Sequence, residues 1–314
     1  DKVVLTSTIG YGDTDVIMSP NQLLTLKFLE EGLNTAGFDN VDHHPLAPIE
    51  LKDYSSDFKL LRNNLRREKI EDSNVMFAVT AMTEHYSYFL HAVKAIRAEF
   101  PKATIIAGGP HFRREEIYKD GKRCKNPIEI VLEKNDGISL VDYVVEGNME
   151  PFIELVTKYQ GNIPENVILQ GLYRLEDGKV VGKGRGRMPK LNKIPAITAN
   201  IDTEEGTQRY IHTNFDGRCN NACDFCVGSS YHNFNIELAL KSIEELLDGV
   251  TITTIHLTDP NPFDPKVIGF YLTLTEELDN RGIDASFMTY LEPADLVNKN
   301  YLNLLHLFSF KTPI

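Results

Sequence analysis

Val75–His111 reads VMFAVTAMTEHYSYFLHAVKAIRAEFPKATIIAGGPH, and this stretch decides the fold. Val75–Thr80 is an unbroken apolar run of strand length, the pattern of a strand buried on both faces. Phe89, Ala92, Val93, Ile96 and Phe100 then recur at helical spacing and form one apolar face. Thr104–Ala107 is a second short apolar run, ending on Gly108-Gly109-Pro110-His111. Outward from this unit the alternation continues. Lys2–Ser7 reads as a strand, Asn21–Ala36 as a helix and Asn40–His44 as a second strand. On the far side, Asp142–Glu146 reads as a strand, followed by Gly147 and a helix over Glu150–Tyr159. The pattern predicts a parallel sheet with helices on both faces. Ligands of such sheets sit at the carboxyl ends of the strands, where glycine turns let them approach the backbone.

Gly171–Val181 has the form of a β-hairpin turning at Asp177-Gly178. Gly182–Leu191 is glycine-rich, basic and aperiodic. A phosphate loop would need a strand before its glycines and a helix after them, so this stretch reads as a linker. A second series follows, with strands at Arg209–Thr213, Thr253–Leu257 and Ala285–Met288 and a helix at Pro265–Asn280. Ile236, Ala239, Leu240, Ile243, Leu246 and Leu247 mark another helix, Asp295–Leu305 a further one, and Leu307–Phe310 the start of a strand. This is a (βα) series whose active residues would lie on the loops after the strands. It holds about four strands where a full or three-quarter barrel needs about six to eight, so the sequence stops part-way through a barrel. The expected division is 1–165, a Rossmann-like doubly wound domain; 166–204, hairpin and linker; and 205–314, a partial barrel.

Composition narrows the function. The 314 residues are 42% hydrophobic and 25% charged, with 33 Lys and Arg against 45 Asp and Glu, a net charge of −12. An acidic balance argues against broad binding to nucleic acid phosphates. No apolar run is long enough to span a membrane. The opening Asp1-Lys2-Val3-Val4-Leu5 lacks the layout of a signal peptide, so a cytoplasmic location is expected. Three of the four cysteines fall within eight residues. A disulfide framework needs cysteines spread along the chain, so metal or redox chemistry is indicated instead.

Those three form Cys219-x3-Cys223-x2-Cys226. Four thiolates saturate an iron–sulfur cluster, which then normally only transfers electrons, whereas three leave one iron open to a substrate. The alternatives are a zinc site, for which His212 or His232 would have to supply a fourth ligand at an unusual spacing, and a Cys-x2-Cys redox pair, which would not need Cys219. Cys124, between two lysines, reads as an ordinary thiol.

The cysteine spacing, Phe225 just before the third cysteine, and the position after a barrel strand resemble the signature of the radical S-adenosylmethionine (SAM) superfamily. The resemblance implies a 4Fe–4S cluster on Cys219, Cys223 and Cys226, with SAM chelated at the open iron and cleaved reductively. It places Phe225, Gly228, Asp259 and Asn261 at the SAM site. Asp259-Pro260-Asn261 also fits a helix cap and turn, and Gly228-Ser229-Ser230 also serves to relax a loop. Tyr290 and Glu292 either face the cavity or enter the helix before Pro293.

The first domain resembles the cobalamin-binding domain that precedes the barrel in one large radical SAM subfamily. The residues that carry this are Gly108-Gly109-Pro110-His111, the VMFAVTAMT run ending at Thr83, Val144-Val145-Glu146-Gly147 followed by Glu150, and the hairpin and linker. It implies a corrinoid beside Thr83, Gly108, Gly109, Pro110, His111, Gly147 and Glu150, with His111 a turn residue and not a cobalt ligand. One departure stands. The Asp-x-His-x-x-Gly motif that carries a lower cobalt ligand is absent: the loop after the first strand reads Ile9-Gly10-Tyr11-Gly12-Asp13, and Asp42-His43-His44 lacks the glycine. The implied activity is methylation of an unactivated carbon, or a related radical rearrangement, on a small-molecule or natural-product substrate, with a flavodoxin or ferredoxin as electron donor. A corrinoid-free radical SAM enzyme and a non-enzymatic iron–sulfur or zinc module are the alternatives.

Overall fold

The computed structural model describes residues 2–7, 20–44, 54–81, 86–109, 111–112, 117–119, 122–135, 138–147, 149–160, 163–164, 169–184, 197–203, 206–212, 252–257 and 265–289. The chain divides into two compact units, Asp1–Pro189 and Lys190–Ile314.

In chain order the first unit holds β1 (Lys2–Ser7), α1 (Pro20–Thr35), β2 (Val41–His43), α2 (Ser55–Arg67), β3 (Val75–Thr80), α3 (Tyr86–Glu99) and β4 (Thr104–Gly108). Two short hairpins, β5 (Ile117–Lys119) with β6 (Lys122–Cys124) and β7 (Lys134–Asn135) with β8 (Ile138–Ser139), flank α4 (Pro127–Leu132). Next come β9 (Tyr143–Val145), α5 (Glu150–Tyr159), β10 (Leu172–Glu176) and β11 (Lys179–Gly182). Seven of these strands form one sheet in the order β11-β10-β9-β4-β3-β1-β2. The five from β2 to β9 are parallel, and the β10-β11 hairpin adds to β9 antiparallel. Strand order reverses between β1 and β3, so the sheet is doubly wound with its switch point there.

Alternation along the strands builds a core on each face. Val4, Phe77, Val79, Ile105, Ala107 and Val144 meet Phe58 of α2, Phe89 and Ile96 of α3 and Val131 of α4. Val3, Leu5, Met76, Ala78, Ile106 and Val145 meet Leu26 and Leu33 of α1 and Phe152 and Leu155 of α5. Phe77 is fully buried, its ring centroid 4.9 Å from that of Phe100 and 6.0 Å from that of Phe58. Burying one such side chain stabilises the fold by about 1.5–3 kcal/mol. Local chemistry sets the ends of the elements. Asn126 and Glu129 close a reciprocal capping box at the start of α4, with Pro127 in its first turn. Asp177 and Gly178 take φ of 47° and 75°, the two positive angles that a tight type I′ hairpin turn requires.

The second unit contains β12 (Ile197–Thr203), β13 (Gly206–His212), β14 (Ile252–Leu257), α6 (Pro265–Asn280) and β15 (Asp284–Thr289). Among the described residues its sheet has four strands in the order β12-β13-β14-β15, with β12 antiparallel and the other three parallel. Tyr271, Leu274 and Leu278 of α6 are buried, as are Ile255 and Phe287 of the strands. The stretch 166–204, read as hairpin and linker, is shared between the units: the hairpin extends the first sheet, and β12 pairs with β13 in the second. Gly182, read as the start of the linker, closes β11; a Cβ there would stand 2.3 Å from the Tyr173 ring. The expected elements at Ile236–Leu247, Asp295–Leu305 and Leu307–Phe310 lie outside the described residues. Among the described residues no helix is long and apolar enough to cross a membrane.

Candidate functional site

The carboxyl ends of β3, β4 and β9 bring several predicted site residues onto one edge of the first sheet. Gly109 follows β4 with a φ of 104°. A Cβ at this position would stand 2.6 Å from both the Ala81 carbonyl oxygen and the Thr80 hydroxyl. Only glycine fits that approach without strain. The turn is stitched to the end of β3 by the backbone: Ala81 N–H donates to Gly108 O at 2.8 Å, and His111 N–H to Ala81 O at 3.2 Å. Gly108 lies against β9, where a Cβ would sit an ordinary 3.8 Å from Val145 O.

His111 is held by its ring. It stacks on Tyr86 at 4.0 Å and meets Phe112 edge-on at 5.5 Å, while Phe89 packs against both Tyr86 (5.8 Å) and Phe112 (5.2 Å). Burial pushes the His111 pKa down from 6.5, so the imidazole is neutral at pH 7.

Gly147, with a φ of 93°, follows β9 at an exposed position. Before it comes Glu146, a carboxyl group only 6% exposed. The Tyr173 hydroxyl of β10 donates to Glu146 at 2.6 Å and lies 3.1 Å from the Gly184 carbonyl. The Glu146 N–H donates to Gly171 O at 2.8 Å. One node thus ties the end of β9 to the hairpin and to the first residues after it. Glu150 occupies the first turn of α5, where a carboxylate is favoured by the helix dipole.

Gly108, Gly109, His111 and Gly147 therefore share one edge, and Glu150 opens the helix that follows it. Thr83 and Pro110 lie outside the described residues. So do Cys219, Cys223 and Cys226, which follow β13 in sequence, Phe225 and Gly228 beside them, and Asp259 and Asn261, which follow β14. Among the described residues no three His, Cys, Asp or Glu side chains group to hold a metal ion. Cys124 is a half-buried free thiol on the short β5-β6 hairpin. Sequence reasoning passed over Glu146, Tyr173 and Tyr86 as site residues. For Glu146 the available signal was a charged residue closing an apolar strand directly before a glycine.

No protein-family model and no curated protein sequence matches the chain. Solved structures do. TsrM from Kitasatospora setae, a radical SAM methyltransferase solved with tryptophan substrate and the SAM analogue aza-SAM, aligns with a TM-score of 0.59 and 14% identity. That alignment covers 97% of this chain and 57% of TsrM. The cobalamin-dependent SAM radical enzyme OxsB with aqua-cobalamin bound aligns with a TM-score of 0.62 and 11% identity, over 98% of this chain and 41% of OxsB. Its apo form aligns with a TM-score of 0.59 over the same shares. The chain spans about half the length of these enzymes. Its doubly wound first unit and the (βα) sheet after it have the fold of the cobalamin-dependent radical SAM enzymes.

Proposed function

We propose that this chain is the corrinoid- and cluster-binding portion of a radical SAM enzyme. Cys219, Cys223 and Cys226 hold a 4Fe–4S cluster with one iron open to SAM, and the glycine edge of the first unit seats cobalamin. The residues fit both groups. Three thiolates are the donor set of a cluster with a vacancy, and the turns at Gly108, Gly109 and Gly147 stand at the carboxyl ends of parallel strands, where sheets of this kind take their ligands. When bound, the cluster would supply the electron for reductive cleavage of SAM, and the corrinoid would supply methyl-carrier chemistry. The chain's own residues orient and exclude. Asp259 and Asn261 hydrogen-bond the SAM ammonium, Phe225 and Gly228 line the SAM pocket, and Thr83, Pro110, His111 and Glu150 flank the corrinoid. The outcome is methyl transfer to an unactivated carbon of a small molecule, with a low-potential flavodoxin or ferredoxin as electron donor, in the cytoplasm.

The observation that carries this reading is a coincidence. The three-cysteine motif follows the first parallel strand of the second sheet, in a chain aligned over 98% of its length with a cobalamin-dependent SAM radical enzyme. The test is anaerobic reconstitution with iron, sulfide and hydroxocobalamin. Visible cluster absorbance, an EPR signal that changes on adding SAM, and a protein-bound corrinoid spectrum are expected. Cys223→Ala should abolish the cluster signals while sparing the corrinoid spectrum. A stoichiometric tetrahedral zinc in place of the cluster would sink the radical chemistry. Turnover that yields 5′-deoxyadenosine without S-adenosylhomocysteine would replace methylation by a rearrangement.

A further inference from the structure

Four buried polar atoms on the α2/α3 face of the first unit have no hydrogen-bond partner among the described residues: Thr6 Oγ1, His44 Nε2, Tyr54 Oη and Tyr86 Oη. Three other such atoms occur, and each belongs to a side chain already engaged with a carboxylate. Arg62 lies 3.3 Å from Asp72, Arg97 2.7 Å from Asp142, and His43 Nε2 3.2 Å from Glu30. No such carboxylate contact engages the first four. A buried hydroxyl without a partner has surrendered its bonds to water for nothing, a state folded proteins keep where something else completes it.

Their placement is shared as well. Thr6, next to the last residue of β1, is 0% exposed, and alternation with Val4 turns it to the α2/α3 face. Leu5 is paired with His43, and His44, directly after β2, donates its N–H to Leu5 O at 2.9 Å, which sets it beside Thr6. The His44 ring packs on Phe58 of α2 at 5.4 Å. Tyr54, 3% exposed, caps the start of α2, and Tyr86 opens α3. Tyr86 also stacks on His111, which makes this polar set continuous with the glycine turn. The chemistry of the set is uncharged. Burial pushes the Tyr54 phenol up to about 12, with Tyr88 and Asp57 adding to it. Burial also pushes His44 down, against the opposing pull of Asp57 and Asp42. Hydroxyl, phenol and neutral imidazole offer no counter-charge to an ion. They suit a group that donates and accepts at once.

We propose that the carboxyl end of β1 and β2 on this face is a binding site for a neutral carboxamide, with Thr6, His44 and Tyr54 as its hydrogen-bonding wall. The proposal rests on the corrinoid reading above: the rim of a cobalamin ring carries several carboxamides, and this site seats one of them beyond the glycine edge. The full chain, wild type and with Thr6→Val or Tyr54→Phe, is titrated with hydroxocobalamin by visible absorbance. It is titrated in parallel with cobalamin monocarboxylic acids, each with one rim carboxamide hydrolysed. Each substitution should weaken cobalamin binding about tenfold, and one monocarboxylate should bind the wild type about tenfold more weakly than cobalamin, because its charge would enter a neutral buried wall, a handicap that Thr6→Val does not relieve. Thermal melts without corrinoid give an independent readout. Valine in place of an unpartnered buried hydroxyl should raise the melting temperature, opposite in sign to its effect on binding. Unchanged cobalamin affinity in both variants overturns the proposal and leaves the corrinoid reading standing, as does a melting temperature lowered by Thr6→Val. A wild-type chain that binds no corrinoid overturns the reading beneath it, and the proposal with it.

Discussion

Replacing Gly109 by alanine would place a methyl carbon 2.6 Å from the Ala81 carbonyl oxygen, on a backbone whose φ is 104°. Strain and overlap together should cost roughly 2–4 kcal/mol. Gly37 is the control: its φ is 87°, but nothing lies within 4 Å of its Cβ direction. Gly37→Ala should lose only the backbone term, about 1 kcal/mol, and urea midpoints of the two variants measure the difference. A second residue-scale prediction concerns acid. His44 and His111 are both held below the ordinary 6.5 by burial. The unfolded chain therefore takes up protons that the folded chain refuses, and stability falls as pH drops from about 6.5 toward the lower folded values. Denaturation midpoints at a series of pH values should show that fall, and His111→Gln should flatten it. At this scale the sequence was partly legible. A glycine pair after an apolar strand announces a close turn, whereas the missing partners of Thr6 and Tyr54 depend on which strands and helices become neighbours, and no local pattern encodes that.

Among the elements, those that announce themselves are buried on both sides or striped on one. Lys2–Ser7, Val75–Thr80, Glu150–Tyr159 and Pro265–Asn280 form over the residues their patterns predict. The elements that escaped have physical reasons for it. Ser55–Arg67 is mostly polar, with Phe58 and Leu65 its buried residues, so its stripe is too thin to see. Ile197–Thr203 mixes Thr, Asn and Asp into a strand that takes its partner from β13. The capping box at α4 could have been read from Asn126, Pro127 and Glu129, but the helix has only six residues, too few to show a period. Asn126→Ala should cost about 1 kcal/mol and fray that helix first, visible as early amide exchange at Ile130 and Glu133. The β10-β11 hairpin depends on a different contact. Tyr173 is 1% exposed and donates to Glu146. Tyr173→Phe should cost about 1–3 kcal/mol, and amide exchange should speed up in the hairpin before the parallel strands.

For the whole molecule, the division at Pro189/Lys190 makes a prediction about fragments. Residues 1–189 keep the hairpin and the Glu146–Tyr173 pair, so they should melt as one cooperative unit. Residues 1–165 lose β10, which bares the edge of β9 and removes Tyr173 from the core. That shorter fragment should aggregate or melt without a sharp transition, because an uncovered strand edge pairs with other chains. Circular dichroism and light scattering on the two fragments separate the outcomes. The sequence placed the hairpin correctly but could not say which unit owns it, since ownership lies in the antiparallel register with Val144 and Val145.

That ownership also sets how the first unit responds to mechanical load. β11 is the outermost strand of the sheet and is paired to β10 alone, and the two residues after it are still tied to the unit, Lys183 O accepting from Gly171 N–H at 2.9 Å and Gly184 O lying 3.1 Å from the Tyr173 hydroxyl. Tension applied through the C-terminal side should therefore meet the bonds at Gly184 and Lys183 first and then the β11 pairs from Tyr173↔Gly182 toward Glu176↔Lys179. The hairpin should then act as a mechanical fuse, yielding before the five parallel strands and the glycine turns they carry.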